Sequence, residues 1–123
     1  MQQRNVIVVE LRPRWTPELR RQFAGKNVRV RQCVRFVDLK QVNVTDDFCV
    51  LVLDFDAAPA DCLRFLSHEV CGPRRLRTIV IGSADAAPLE WTIRDLGALD
   101  FLAGPPRGDE LARLCRRQWT DEE

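Results

Sequence analysis

The sequence has few of the residues from which metal centres, disulfide frameworks and membrane spans are built. It contains one histidine, His68, and five cysteines that form neither a CxxC pair nor any other metal-ligand spacing, which excludes a His/Cys metal site. Its apolar runs are no longer than a strand, too short to span a bilayer. The N-terminus has no signal-peptide pattern, so we expect a cytoplasmic protein with reduced, buried cysteines. The cysteines are Cys33, Cys49, Cys62, Cys71 and Cys115.

The composition is that of one ordinary globular domain. The 123 residues are 46% hydrophobic and 30% charged, which suits a single domain over residues 1–123. The end of the chain, residues 119–123, is expected to be a frayed tail. The net charge of +1 conceals an excess of basic residues over 1–43 and of acidic residues over 44–123.

The basic residues of the first part of the chain are mostly arginines, and they leave a nucleic-acid adaptor open as an alternative function. Arg29 and Arg31 alternate with valines in a strand-like run. No aromatic residues are interleaved with them, and no helix-turn-helix pattern accompanies them. A solvated face with a protected edge strand is therefore the favoured interpretation, and nucleic acid is not the expected partner.

Short β-branched runs alternate with helical patterns along the whole chain. The helices are expected to open at Thr16-Pro17, with Thr16 as the cap, at Pro59, at Pro88 and at Asp109, with a further short helix around 35–42. Strict alternation of this kind predicts a three-layer, doubly wound α/β fold with a parallel sheet. The predicted strands are 6–9, 28–31, 48–53, 77–81 and 99–102.

Candidate site residues lie within three positions of the ends of these predicted strands. Glu10 comes after the first, Asp54 and Asp56 after the third, Ser83 after the fourth, and Gly104 after the fifth. Since the carboxyl ends of parallel strands form the ligand-binding edge of such sheets, these residues are expected to meet in one acidic pocket. A flavin site is excluded because no glycine-rich, phosphate-cradling loop follows the first strand.

The spacing of these residues resembles that of the receiver domain of two-component response regulators, over nearly the whole chain. The segment Gly97–Pro105 matches the family's Gly-Ala-x-Asp-Tyr-Leu-x-Lys-Pro pattern except at Phe101 and Gly104. Ser83 precedes an alanine, as the family's Ser/Thr does, and Asp54 lies where the phosphate-accepting aspartate belongs. The resemblance implies a flavodoxin-like (βα)5 fold with strand order 2-1-3-4-5.

The resemblance also implies a phosphorylation chemistry, from which this sequence departs. In the family, the aspartate equivalent to Asp54 accepts a phosphoryl group, an acidic pair helps it to hold Mg²⁺, and a lysine balances the charge. Here Glu10 is followed by Leu11 instead of a second acid, and Gly104 replaces the lysine. We therefore expect a degenerate pseudo-receiver that is not an enzyme and has no cofactor; weak Mg²⁺ binding at Glu10 and Asp54 stays open.

Arg12 is a candidate cation for this pocket. It lies two residues after Glu10 in the loop that follows the first strand. A guanidinium at this place would pair with the carboxylates and take the position of the metal ion. The alternative is that Arg12 points into solvent.

Trp91 is a candidate for an interaction surface. It lies about 200° around the predicted helix from Leu89, at about 100° per residue, whereas Leu89, Ile93 and Leu96 supply the inner stripe. We therefore expect Trp91 to be exposed. Receiver domains commonly dimerise through the fourth helix, fifth strand and fifth helix, so Phe101 on the fifth strand belongs to the same candidate surface, although the core is its favoured location.

The function that these observations favour is a signalling or regulatory module that acts through protein contacts, without phosphorylation. Its partner is expected to be a protein, including a second copy of the chain, and no membrane is involved. A working receiver that accepts phosphate on Asp54 with Mg²⁺ is the first alternative. The nucleic-acid adaptor is the second.

Overall fold

A computed structural model describes residues 3–41, 49–70, 76–104 and 107–120. Within these ranges, five parallel strands form one sheet in the order β2-β1-β3-β4-β5. This order and the parallel pairing confirm the predicted topology. Phe48, where the third strand was expected to begin, lies outside the described residues. The strands are β1 Arg4–Val9, β2 Val28–Cys33, β3 Cys49–Asp54, β4 Arg77–Gly82 and β5 Asp100–Ala103.

The register brings the carboxyl ends of four strands to one edge. Val9 is paired with Leu53, Asp54 with Ile81, and Gly82 with Ala103. The first residues beyond these strands therefore lie side by side at this edge, as predicted from the sequence. The central strand β3 is buried along almost its whole length, because helices cover both faces of the sheet.

Four α-helices, in the described part of the chain, divide between the two faces. They are α1 Trp15–Gln22, α2 Pro59–Phe65, α3 Glu90–Asp95 and α4 Gly108–Thr120; α2 continues as a π-helical turn over Leu66–Val70. Leu19 of α1 and Leu111 of α4 share one buried cluster with β1. Cys62 of α2 and Ile93 of α3 belong to the other cluster, which completes a three-layer doubly wound fold.

Two predicted helices differ from the structure. The segment expected around 35–42 is a 3₁₀ helix over Phe36–Gln41, and its last predicted residue lies outside the described ranges. Pro88 does not open α3 but lies inside a 3₁₀ helix over Ala84–Leu89. Since α-helical spacing begins only at Glu90, Leu89 is 36% exposed and is not part of the inner stripe.

The arginine-rich strand β2 lies at one edge of the sheet, as its alternating pattern predicted. Arg29 is exposed, whereas Val30 is buried. The guanidinium of Arg20 on α1 donates twice to the carbonyl oxygen of Val30, from Nε at 3.2 Å and from Nη2 at 3.1 Å. This side chain therefore satisfies a backbone acceptor that an edge strand would leave open to another chain.

Helix α4 is anchored almost to its last residue. Trp119 is 2% exposed, so the expectation that a frayed tail begins at residue 119 is wrong at that position; residues 121–123 lie outside the described ranges. Among the described helices, none combines the length and the hydrophobicity that a membrane span requires.

The cysteines are buried thiols wherever the structure describes them, as expected. Cys33, Cys49, Cys62 and Cys115 are buried; Cys71 lies outside the described residues. Burial raises the pKa of both Cys62 and Cys115 to about 12. These two thiols are therefore protonated at neutral pH and act as small apolar core groups.

Candidate functional site

Glu10, the first residue after β1, is a buried carboxylate that caps helix α1. Its Oε1 accepts the backbone N–H groups of Arg14 at 3.1 Å and Trp15 at 2.9 Å. Its Oε2 accepts the backbone N–H of Thr16 at 2.9 Å and the Thr16 hydroxyl at 2.7 Å. Only 1% of Glu10 is exposed. The helix begins at Trp15, so Thr16 is not its cap, as the sequence had suggested, but a hydrogen-bond donor to the residue that does cap it.

This arrangement does not fit a Mg²⁺ site at Glu10. A carboxylate has about four lone-pair positions, and the four hydrogen bonds to Glu10 occupy them. The neighbouring Leu11 is 60% exposed and has no ligand atom on its side chain. Among the described residues, no group of three or more His, Cys, Asp or Glu side chains is placed to hold a metal ion.

Asp54 ends β3, is half-buried and lines a cleft at the carboxyl edge of the sheet. Burial raises the pKa of this carboxyl group above its ordinary value, and the negative charges of Asp56 and Glu10 raise it further. A hydrogen bond from the backbone of Asp56 and the positive charge of Arg14 act in the opposite direction. The negative charge on Asp54 is therefore incompletely compensated.

Asp56 reaches across to the end of the neighbouring strand. Its Oδ2 accepts the backbone N–H of Ser83 at 2.6 Å, and its Oδ1 lies 3.4 Å from the Ser83 hydroxyl. The sequence placed both residues in one acidic pocket. It did not indicate that the carboxylate of one would bind the donors of the other, because that depends on how two separate loops face each other.

Gly104 follows β5 with a φ of +96°, and its N–H donates to the carbonyl oxygen of Gly82 at 3.0 Å. A Cβ added at Gly104 would meet no heavy atom within 4 Å. The space for a side chain exists, but a lysine would be strained there because L-residues disfavour positive φ. The positive φ at this position therefore favours the glycine that stands where the receiver resemblance would place a lysine.

The cleft between these strand ends has a volume of about 220 Å³; we call it the acidic cleft. The basic side chain on its wall is Arg14, not Arg12, which is exposed and does not line it. The Arg14 guanidinium carbon lies 4.7 Å from the centre of the Trp15 ring. The basic residue of the cleft wall is thus not the proposed Arg12 but Arg14, two positions on, whose side chain also remains exposed to solvent. The cleft is lined by Arg14, Trp15, Asp54, Asp56, Ser83 and Gly104, with Ile81, Gly82 and Ala84.

The two residues of the candidate interaction surface, Trp91 and Phe101, differ in their exposure to solvent. Trp91 on α3 is 78% exposed, which confirms the exposure that its helical position predicted. Phe101 on β5 is 5% exposed and belongs to the core cluster that also contains Ile93. Phe101 is therefore a core residue and not part of that surface.

Comparison with known proteins identifies the architecture. No protein-family model and no curated protein sequence matches this chain, whereas solved structures do. The receiver domain of the Francisella response regulator 1452 superposes with a TM-score of 0.79 over 98% of this chain and 99% of its own, at 15% identity. The chain has the receiver fold. Because the sequence identity is low, this likeness concerns the fold and not the chemistry of the acidic cleft.

Two further structures with the receiver fold show the same extent of similarity. A response regulator from Thermotoga maritima has a TM-score of 0.78 at 13% identity, over 97% of this chain and 99% of its own. The beryllofluoride-activated NtrC4 receiver domain dimer also has a TM-score of 0.78, at 17% identity, over 97% of this chain and 98% of its own. In each case the match covers almost the full length of both chains.

Proposed function

We propose that this protein is a receiver-like signalling or regulatory module of the cytoplasm, which acts through protein contacts, without phosphorylation and without catalysis of its own. The observation that carries the proposal is the buried carboxylate of Glu10. The receiver resemblance would assign this carboxylate to Mg²⁺. Here its oxygens instead accept four hydrogen bonds at the start of α1.

The charge in the acidic cleft supports the same conclusion. A phosphoryl group on Asp54 would add about −1.5 to −2 charges at a position where burial and the neighbouring charge of Asp56 already raise the pKa of the carboxyl group. Phosphorylation chemistry needs metal ions or cationic side chains to stabilise this charge. Among the described residues that line the cleft, Arg14 is the one basic side chain, and Gly104 contributes none.

Treatment with a small phosphodonor and Mg²⁺ is therefore expected to leave the intact mass of the protein unchanged. The reason is that the Glu10 carboxylate is already bonded to α1 and that Gly104 stands where the receiver resemblance would place the lysine. Intact-mass spectrometry over a time course measures the result directly, with a working response-regulator receiver domain treated in parallel as the positive control.

The Asp54→Asn variant makes the same experiment decisive. If the wild-type protein gained the mass of one phosphoryl group and Asp54→Asn did not, the protein would be a working receiver and the proposal would be wrong. A mass gain that persists in Asp54→Asn would report modification elsewhere on the chain, and the expectation for Asp54 would stand.

We further propose that the contact surface is the exposed side of α3 and that its partner is a second copy of the chain. Trp91 is 78% exposed, and Leu89 and Leu99, which flank α3 in sequence, are 36% and 48% exposed. Helix α3 contacts β5, which is the edge strand of the sheet. The NtrC4 receiver domain, which has the same fold, forms a dimer.

Trp91→Ala is expected to weaken self-association by about 30-fold or more, because an aromatic residue at the centre of an interface commonly contributes 2 kcal/mol or more. Sedimentation equilibrium over a range of protein concentrations measures the dissociation constant. Thr92→Ala, a change at an adjacent exposed residue of the same helix, is the matched control and should have little effect. A wild-type protein that stays monomeric, or a Trp91→Ala variant that dimerises equally well, would contradict this proposal.

A further inference from the structure

The contact between Asp56 and Ser83 joins the two loops that border the acidic cleft. Asp56 follows β3 by two residues, and Ser83 follows β4 directly. The two strands are neighbours, with Asp54 paired to Ile81, and the backbone N–H of Phe55 donates to the carbonyl oxygen of Ile81 at 2.8 Å. The side chain of Asp56 continues this connection beyond the end of the sheet.

The bond from Ser83 to Asp56 is short and has a carboxylate acceptor, and it lies at the surface, since both residues are exposed. A 2.6 Å separation between the Ser83 nitrogen and Oδ2 is short for an N–H donor, and bonds to an ionised carboxylate are about twice as strong as neutral ones. The second carboxylate oxygen lies 3.4 Å from the Ser83 hydroxyl. Asp56 thus presents a negative group with two acceptor oxygens to both donors of Ser83.

Ser83 also begins the segment of the chain that leads to Trp91. Its carbonyl oxygen accepts the backbone N–H of Ala86 at 3.0 Å, which is the first bond of the 3₁₀ helix over Ala84–Leu89. That helix continues without a break into α3 and Trp91. Any group that holds Ser83 in place therefore also holds the first turn of this segment.

We propose that Asp56 is a built-in anionic latch that occupies the donors of Ser83 and holds the segment from Ser83 to α3 in one state. This inference rests on the proposed function, since it explains how the surface around Trp91 stays in one conformation without a phosphoryl group. The carboxylate supplies a negative charge and two acceptor oxygens at Ser83, from within the same chain.

The test is amide hydrogen exchange of Ser83, measured residue by residue by NMR. Asp56→Ala is expected to accelerate this exchange by about 10-fold or more, because removal of a charge-assisted bond frees the amide. The amides of the 3₁₀ helix over Ala84–Leu89 should accelerate in the same variant, Ala86 first because its N–H donates to the Ser83 carbonyl oxygen; Pro88 has no amide proton to follow. Asp56→Asn, which retains an acceptor oxygen without the charge, should give an intermediate acceleration.

Two further variants identify the group responsible. Ser83→Ala removes only the hydroxyl with the longer contact and should leave the exchange at residue 83 slow. Asp85→Ala, a change at an exposed aspartate of the neighbouring 3₁₀ helix, is the matched control for loss of charge and should have no effect. Circular dichroism checks that each variant keeps its helical content.

Unchanged exchange at Ser83 in both Asp56 variants would overturn the latch. Acceleration confined to Ser83, with Ala84–Leu89 unaffected, would also overturn it, since the contact would then not be transmitted toward α3. These outcomes are independent of the mass measurement on phosphodonor-treated protein. If the wild-type protein were phosphorylated while Asp56→Ala accelerated the exchange, the proposed function would fail and the latch would remain.

Discussion

Replacement of Glu10 by glutamine is expected to lower the free energy of unfolding by about 3 to 5 kcal/mol. The carboxylate is 1% exposed and accepts four hydrogen bonds. A glutamine side chain has the same size, but its amide nitrogen would point N–H groups at the donors of the first helical turn. Those donors cannot turn to water, because Trp15 and Thr16 are themselves buried. The favourable effect of a negative charge at a helix N-terminus is lost as well.

Urea denaturation at neutral pH, followed by circular dichroism, measures this loss. Glu90→Gln is a suitable control because Glu90 also lies in the first turn of a helix but is partly exposed, where its carboxylate pairs with Arg94 at 2.8 Å. That substitution should change stability by about 0.5 kcal/mol or less. An equally small effect at Glu10 would show that its four bonds do not hold α1 in place.

Replacement of Trp119 by alanine is expected to lower the free energy of unfolding by about 3 to 5 kcal/mol. The indole is 2% exposed and packs edge-on against Phe23, with ring centres 5.8 Å apart. The guanidinium carbon of Arg4 lies 5.6 Å from the centre of its ring. Trp119 therefore joins the end of α4 to the end of α1 and the start of β1, and its removal leaves a large cavity between these elements.

Trp91 offers the matched comparison within the same chain. The same substitution at Trp91, which is 78% exposed, should change stability by about 0.5 kcal/mol or less. Both variants are compared by urea denaturation at protein concentrations at which the chain is monomeric, because self-association would stabilise the folded state. Similar losses at the two positions would contradict the assignment of Trp119 to the core and of Trp91 to the surface.

The local pattern of the sequence was enough to predict the sheet and its strand-end residues. Val6 to Val9 and Leu51 to Leu53 are continuous apolar runs because those strands are covered on both faces, whereas Val28 to Arg31 alternates because β2 is an edge. Strands and helices in strict alternation allow few topologies, since parallel crossovers are right-handed. The same topology predicts that Asp54, Asp56 and Ser83 lie at one edge of the sheet.

The partners of the polar side chains, by contrast, were decided by the tertiary structure. Glu10 looked like a metal ligand, and only the bend before α1 directs three backbone N–H groups toward it. The same bend brings Arg14, in place of Arg12, to the wall of the acidic cleft. Asp56 and Ser83 are 27 residues apart in sequence, and their contact depends on the directions of two loops. The periodicity of a sequence indicates which face of a helix or strand is buried. The hydrogen-bond partners of polar side chains depend on the path of the loops between these elements, and periodicity carries no information about that path.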